Sequence, residues 1–511
     1  MKQKYLWNII LSAVLLLQLL AEGMTAAIVF RLDMLPTAYC LVLVGVLLVA
    51  GLLTGMLMFL HRKEKTVGMT RRIIASVLAV LIVCGCGMLC KVATDIYKTV
   101  HSITTPNAPS VTRSIYVRGN DPAQVLTDAA DYRFAAVENF DLDGTRQALE
   151  VLEQALGKKI PVSYYPSVTE MIDALYAGQT DAIILNGAFV VMLEETEEYA
   201  DFSQKTRLLY DVPIEGWTVP SESIDATAPS ESVPEETVPK DITGKPFVVY
   251  IGGSDTRSSY LPTLTRYDVN ILVVVNPVTK QVLLLNTPRD YFVKNPAGGG
   301  VRDKLTHCGN FGVECSIQAL QDLYGIQVDY YARINFTGVE TLIDAVGGVT
   351  VTSSVSFTGT DGTEFVKGEN HLNGAQALEF SRERKHLPGG DNDRGKNQMK
   401  VIQALISKMT SGTALISNYG QILNALGGMF ETSMGMEDIS KLVKMQLTDM
   451  ASWNVQSYAV TGKGGNEVTY SWPGKKLYVM YVDENHVAYA SGLVQRVLAG
   501  EILTKEDLNG K

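Results

Sequence analysis

The chain has 511 residues, room for two or three domains, and a formal net charge of −10 at pH 7. A general nucleic-acid binder needs a basic face, so this balance speaks against one. Long apolar runs are concentrated in the first hundred residues, and charged clusters in the second half.

Three apolar segments come first. Leu6–Phe30 holds one charge, Glu22; Tyr39–Leu60 holds none; Ile73–Ala93 holds one, Lys91. Each reaches the roughly 20 residues that a membrane-spanning helix needs, and each exceeds the apolar core of a signal peptide. Lys2 and Lys4 precede the first span, and the second loop carries Arg62, Lys63, Lys65, Arg71 and Arg72. The first loop offers only Arg31 beside Asp33. The excess of positive charge therefore puts the N-terminus and second loop in the cytoplasm and everything after about residue 97 outside. Glu22 admits two readings, a functional intramembrane carboxylate or a group facing neighbouring helices. Cys40, Cys84, Cys86 and Cys90 fall in these segments and read as small apolar residues, since no histidine joins the Cys84/Cys86/Cys90 trio as a metal ligand. Cys308 and Cys315 are the one pair outside, a candidate disulfide that an exported location permits.

A stalk, Thr94–Thr112, leads to a small α/β accessory domain within residues 98–212. Its expected strands are Phe134–Val137, Ile160–Tyr164 and Asp181–Leu185; its helices are Leu142–Leu156 and Val168–Ala177, each closed by a glycine. The βαβαβ order implies a small sheet with helices packed on it. The stretch MIDALYAGQTDAIILNG resembles half of a solute-binding domain, but a fold does not imply a site. A spacer or docking domain without a ligand is the favoured reading. Residues 213–245 form a Pro/Ser/Glu-rich linker, too polar to fold. An extended tether of this kind predicts two outer domains that move independently.

Residues 246–511 return to α/β patterning. Expected strands are Phe247–Ile251, Asp268–Val275, Gln281–Leu285, Val328–Ile334, Val349–Val351, Val455–Thr461 and Leu477–Tyr481. Expected helices are Ser316–Tyr324, Phe336–Ala345, Leu372–Phe380, Arg394–Met409, Ile416–Leu426, Met436–Met450 and His486–Ala499. Continuous apolar strands are covered on both faces, so this region reads as a three-layer α/β/α domain.

Charged clusters punctuate those strands: Asp255-Thr-Arg257, Arg266-Tyr-Asp268, Arg289-Asp290, Arg382-Glu-Arg384 and Asp391-Asn-Asp-Arg394 with Gln398. Arg382 and Arg384 point one way if extended. Asp391, Arg394 and Gln398 share a face if a helix begins by Asp391. Arginine donates in pairs to phosphate oxygens, so several converging arginines imply a highly anionic ligand such as a pyrophosphate. The accompanying carboxylates point to a Mg²⁺-dependent phosphoryl transferase rather than a plain anion binder. A single Arg–Asp neighbour pair is ordinary surface chemistry; five clusters in one domain are not.

The phrases IGGSDTR, RYDVNILVVVNP, NTPRDYFV, DKLTHCGNFG, DYYARINFTGVETLIDAVGGV, LNGAQALEFSRER and GDNDRGKNQ, in this order over Phe247–Ile406, resemble the LytR-CpsA-Psr family of cell-wall-polymer ligases of Gram-positive bacteria. Three spans followed by an accessory domain resemble its capsule-linked members. The resemblance implies transfer of a glycosyl-phosphate polymer (teichoic acid, capsule or another wall glycan) from undecaprenyl pyrophosphate to peptidoglycan, with the lipid tail in an apolar tunnel. It implies a multi-pass protein of the plasma membrane. It also implies that Arg289, Arg382, Arg384 and Arg394 hold the pyrophosphate, with Gln398 nearby, Arg257 and Arg266 assisting and Lys304 a further candidate. Asp255 and Asp268 would hold Mg²⁺ (Mn²⁺ is the substitute), and Asp391 is the candidate base, with Arg289 and Arg394 catalytic. Two departures are Asn286, where small hydroxyl residues are usual, and the Cys308/Cys315 pair. The competing functions are hydrolysis of the same pyrophosphate and a non-catalytic lipid-phosphate sensor.

Overall fold

The computed structural model describes residues 2–59, 65–104, 111–215, 241–257, 260–410, 421–422 and 427–508. The expected linker 213–245 and the expected helix Ile416–Leu426 therefore lie mostly outside the described residues, as does the side chain of Asp391.

Three helices, Lys2–Leu32, Thr37–Phe59 and Lys65–Thr104, match the three apolar segments. All three are long and apolar enough to cross a membrane. Glu22 faces inward: Gln18 Nε2 donates to it at 2.7 Å, and a Cβ at Gly51 would lie 2.9 Å from its Oε2. The bundle-facing reading is the observed one. The third helix runs to Thr104, so helix occupies the first part of the expected stalk. Its outer end is also not separate from the domains beyond. Met34, Ile96 and Val100 pack with Met436 and Ile439 of the helix Met436–Asp449, and Lys444 pairs with Asp33 at 2.5 Å.

The accessory domain keeps the expected βαβαβ run and adds a strand at each end. Its strands are β1 (Val111–Arg118), β2 (Phe134–Val137), β3 (Val162–Tyr165), β4 (Ala182–Leu185) and β5 (Thr206–Ile214). The sheet order is β3-β2-β4-β1-β5, with β2 parallel to both its neighbours and β1 antiparallel to both of its own. The outer strands escape the sequence pattern because β5 alternates exposed and buried residues irregularly around Pro213.

The second α/β domain, from Phe247 onward, follows. It contains β6 (Phe247–Ser254), β7 (Val269–Asn276), β8 (Gln281–Asn286), the hairpin β9 (Phe292–Lys294) and β10 (Arg302–Lys304), and β11 (Tyr330–Asn335). Next come β12 (Val349–Ser353), β13 (Phe357–Thr358), β14 (Glu364–Phe365), β15 (Gly368–Leu372) and β16 (Phe430–Thr432). Last are β17 (Asn454–Ala459) and the ribbon β18 (Gly462–Thr469) and β19 (Trp472–Val482). The central sheet is mixed, β16-β11-β6-β7-β8-β17. Alternate residues sort to two faces, as strand pleating requires. Val248, Tyr250, Leu272, Val274, Leu283 and Leu285 pack with the helices Val313–Tyr324 and Glu484–Leu498. Ile271, Val273, Val282 and Leu284 meet Met399 and Ile402 of the helix Asp391–Thr410. The three-layer expectation therefore holds. Leu477–Tyr481 is not in the central sheet; it belongs to the β18–β19 ribbon, which sequence reading did not separate.

The two outer domains are docked, contrary to the independence expected from the linker. Phe140 and Phe189 of the accessory domain interleave with Phe311 and Tyr470 of the second α/β domain, with ring centroids 4.9 to 6.1 Å apart. Aromatic pairs of this kind add about 0.5–1.5 kcal/mol each beyond burial. Asn186 Nδ2 donates to the Asn310 carbonyl at 2.8 Å. Linker composition describes the tether; it says nothing of the surfaces the tether joins.

Cys308 and Cys315 are free thiols, so the candidate disulfide is not formed. Both are fully buried in the core beside each other. Cys315 Sγ is turned to Asn295 Oδ1 at 3.4 Å. The hydrogen bond from Cys315, then burial, holds the Cys308 thiol well above its usual range.

Candidate active site

The strand ends assemble the charges. β6 and β8 run the same way with β7 reversed between them, so Ser254, Val269 and Asn286 all fall on one edge of the sheet. β11 and β17 are parallel additions that end there too, at Asn335 and Ala459. Ligands of open α/β sheets bind at this carboxyl edge. The glycine pair of IGGSD is needed for the approach. A Cβ at Gly253 would lie 2.7 Å from Val269 Cβ, and one at Gly252 would lie 2.9 Å from the Tyr267 ring. Without those side chains, Asp268 N–H reaches the Gly253 carbonyl at 2.8 Å, bringing Asp268 back beside the turn that carries Asp255.

A narrow cleft of about 20 Å³ opens at this edge, lined by Asp268, Asn286, Arg289, Arg394, Gln398 and Thr461 among others. Arg289 Nη1 donates to Asp268 Oδ1 at 2.6 Å. Burial pushes the Asp268 carboxyl up, but Arg289 and Arg394 outweigh it and hold the group below the usual range. The helix Asp391–Thr410 does begin at Asp391, so Arg394 and Gln398, each 8% exposed, face the cleft from its first two turns. That helix sits close to β8: a Cβ at Gly395 would lie 2.5 Å from Asn286 Nδ2.

Arg266 is 9% exposed and is engaged from the other domain. Its Nη1 and Nη2 donate to the two carboxylate oxygens of Glu195 at 2.7 and 2.6 Å. Asp255 lies 3.8 Å away on its other side. Burial, then the neighbouring Asp268, raises the Asp255 carboxyl. Two acidic groups repelling each other at a strand edge form a seat that a divalent cation relieves. Mg²⁺ takes few protein carboxylates and completes its shell with water and phosphate, and this donor pair fits it. Among the described residues there is no group of three or more His, Cys, Asp or Glu placed to hold a metal ion.

The remaining expected residues are spread around the rim. Lys304 turns to Asp290 at 2.9 Å, one residue beyond Arg289, and is not among the cleft-lining side chains. Arg382 ends the helix Gly374–Arg382 and lies 4.8 Å over the Phe336 ring; the Phe336 N–H donates to Thr256, so Arg382 is beside the Asp255–Arg257 turn. Glu383 is buried between exposed Arg382 and Arg384, so the two arginines share the outer side although Arg382 is helical. Arg257 is exposed at the same turn. The structure adds Glu195, Asn392 and Thr461. Thr461 was legible as the end of a predicted strand; Glu195 was not, because it comes from another domain.

Among known proteins, the transferase TagU of Enterococcus faecalis, a polyisoprenyl-teichoic acid–peptidoglycan teichoic acid transferase, is 34% identical over 227 residues, 44% of this chain and 74% of that protein. TagU of Oceanobacillus iheyensis is 35% identical over 210 residues, 39% of this chain and 63% of that protein. The crystal structure of B. subtilis TagU covers 51% of this chain and 100% of its own, at 26% identity and a TM-score of 0.39. A structure of TagT bound to LIIa-WTA covers 53% and 98%, at 25% identity and a TM-score of 0.41. With the LytR_cpsA_psr family pattern matching residues 218–487, over half of its length, the chain belongs to the LytR_cpsA_psr family.

Proposed function

We propose that the protein transfers a glycosyl-phosphate polymer, of the teichoic-acid kind named for its relatives, from a polyprenyl pyrophosphate to a peptidoglycan hydroxyl. The observation that carries this is the convergence of Asp268, Arg289, Arg394 and Gln398 in one cleft at the sheet edge. Arg289 and Arg394 bind the pyrophosphate oxygens, and Gln398 orients them. Arg257, Arg382 and Arg384 extend positive charge along the rim. The acceptor oxygen forms a bond to the sugar-proximal phosphorus as the bond to the lipid phosphate breaks; prenyl phosphate leaves, and the hydroxyl proton goes to a base, for which Asp391 at the helix start is the candidate. Asp255 and Asp268 are the carboxylates that would hold Mg²⁺, which would supply positive charge to offset that developing on the phosphates. Catalysis of this type is mostly positioning and charge stabilisation. Positive charge before the first span and in the second loop supports a catalytic domain on the outer face of the membrane. Its packing against the outer end of the bundle keeps the cleft's domain near the lipid headgroups.

The test uses full-length protein in detergent micelles, a synthetic polyprenyl-pyrophosphate disaccharide, Mg²⁺ and uncrosslinked peptidoglycan. Mass spectrometry should find glycosyl-phosphate on a wall sugar, and none with Arg289→Ala. Released glycosyl-phosphate without attachment would replace transfer by hydrolysis; tight lipid binding without turnover would replace it by sensing.

A further inference from the structure

The seam between the two outer domains holds a second, much larger cleft, of about 480 Å³, within the usual range of about 300–1,000 Å³ for small-molecule sites. One wall is the accessory turn that joins β2 to the helix Leu142–Leu156. The other wall is catalytic-domain surface: the Ala297–Gly299 turn, Phe311 and Tyr470.

The accessory turn is strained. Asn139 and Asp141 both lie in the left-handed region, at φ 57° and 49°, a conformation that costs a non-glycine residue about 1–3 kcal/mol and gathers at ligand clamps. Its surroundings fix the strain in place. Asp141 is held by Arg113 through Nε and, at 2.7 Å, through Nη2; its N–H donates to Tyr470 Oη at 2.9 Å. Gly144 leaves room for the Arg113 guanidinium, which any Cβ there would strike. Arg113 and Asp141 are 5% and 9% exposed. A buried pair of this kind contributes little net stability, but it sets the turn so that Asn139 and Asp143 stand exposed at the cleft.

The lining chemistry is selective. Asn139 and Gln147 are amides, Asp143 and Glu215 are carboxylates, and Tyr470 and Phe311 are aromatic. The one lining cation, Arg113, is neutralised by Asp141. Planar amides and carboxylates beside an aromatic ring suit sugar hydroxyls and N-acetyl groups. Asp143 is paired with Arg146 at 3.2 Å, which leaves Glu215 as the remaining carboxylate and, among the lining residues, no unneutralised cation to hold a phosphodiester polymer.

We propose that this cleft binds an uncharged saccharide of N-acetylated amino sugars, the backbone of the peptidoglycan acceptor, and so holds the acceptor strand while the catalytic cleft holds the donor. The acceptor assignment rests on the function proposed above; the saccharide site stands on the cleft itself. The accessory domain thereby contributes half of a substrate site rather than a spacer.

The experiment is saturation-transfer NMR on full-length protein in detergent micelles, with N-acetylchitotetraose as the neutral probe and donor turnover read on the same samples. Transfer to the acetyl methyls is expected, with affinity reduced about fivefold by Asn139→Gly and again by Asp143→Ala, the loss of one hydrogen-bonded contact each. Asn139→Gly keeps the left-handed turn, so its effect reports the amide rather than the fold. Arg289→Ala should abolish turnover and leave this binding unchanged. Equal affinities in parent and both turn variants, or no transfer up to about 10 mM probe, would overturn the proposal. So would a released stem peptide or a glycerol-phosphate oligomer that binds here and is lost with the same variants. Saccharide binding in a protein without turnover would leave the cleft standing and remove the transferase reading; turnover without saccharide binding would do the reverse.

Discussion

Both α/β domains are sheets with helices packed on them, and both engage arginines in their contacts, yet the arginines do different things. In the accessory domain two of them tie down backbone. Arg118 Nη1 donates to the Leu175 and Thr180 carbonyls at 2.9 Å, and Arg133 donates to the Gly178 carbonyl at 2.8 Å and to Asp181. At the catalytic edge they face carboxylates from other elements: Arg289 meets Asp268, and Arg266 meets Glu195. An arginine on carbonyls completes a fold. An arginine set against a carboxylate at the rim of an open cleft can exchange that contact for one to an anion. Arg333 combines the two roles, bonding to the Pro262 and Thr263 carbonyls and, at 2.7 Å, to Glu431, so the distinction is local rather than domain-wide.

The sharpest way to break this comparison is to truncate one arginine of each kind. Arg289→Ala or Arg394→Ala should lower turnover by about 10²–10³-fold, the usual cost of losing a donor to developing charge. Arg118→Ala should lower the thermal midpoint and leave turnover per folded molecule unchanged. Arg289→Ala also strips Asp268, 11% exposed, of its nearest cation, so some stability goes with it. Comparable turnover losses for Arg118→Ala and Arg289→Ala would end the distinction.

Much of this was readable in the sequence because the signals were local. The helix Phe336–Ala345 is bounded as expected, with Asn335 capping it by accepting from Gly338 N–H at 2.9 Å. The helix start at Asp391 put Arg394 and Gln398 on one face. What failed was non-local. The β18–β19 ribbon is glycine-rich on one strand and lysine-bearing on the other, so it carries no buried-strand pattern. The aromatic dock needs Phe140 and Phe189 to find Phe311 and Tyr470 across more than a hundred residues. Glu195 reads as a surface charge until Arg266 is placed against it. Lys304 is a plausible phosphate group in the sequence and an Asp290 partner in the fold.

Glu195 also tests whether the accessory domain reaches into catalysis. Its carboxyl is lowered chiefly by the hydrogen bond from Arg266; burial lowers Arg266, but the bond to Glu195 more than restores it. Glu195→Gln keeps the shape and removes the competing charge. The donor KM should fall about threefold to tenfold at low salt, with the effect shrinking as salt rises. A rise in KM at unchanged kcat would instead make Glu195 a support for Arg266. A smaller effect is expected at Gly395. Gly395→Ala favours the helix by up to about 1 kcal/mol, yet its Cβ displaces the Asn286 amide from the cleft wall. Turnover should drop about twofold to threefold without loss of thermal stability, and Asn286→Ser on that background should restore it by vacating the space. No rescue would mean that the helix, not Asn286, has moved.

The weakest effect belongs to an accessory pair and concerns pH. Asp181 accepts from Arg133 at 2.8 and 2.9 Å, and that hydrogen bond is the main reason its carboxyl falls to about 2. An unfolded aspartate titrates near 3.9. The folded value is the lower one, so the pair stabilises the fold above pH ~4, and this contribution is lost as pH falls from about 4 toward 2. Arg133 is 57% exposed, and solvent screening keeps the contribution small. Asp181→Asn should therefore lower the thermal midpoint at pH 7 by only a few degrees, and the gap between parent and variant should close on acidification while turnover is unaffected. A gap that persisted at low pH would assign the loss to the backbone contact, since Asp181 Oδ2 also accepts from Arg133 N–H at 3.0 Å. The arginine would then be a bystander to the turn it was taken to hold.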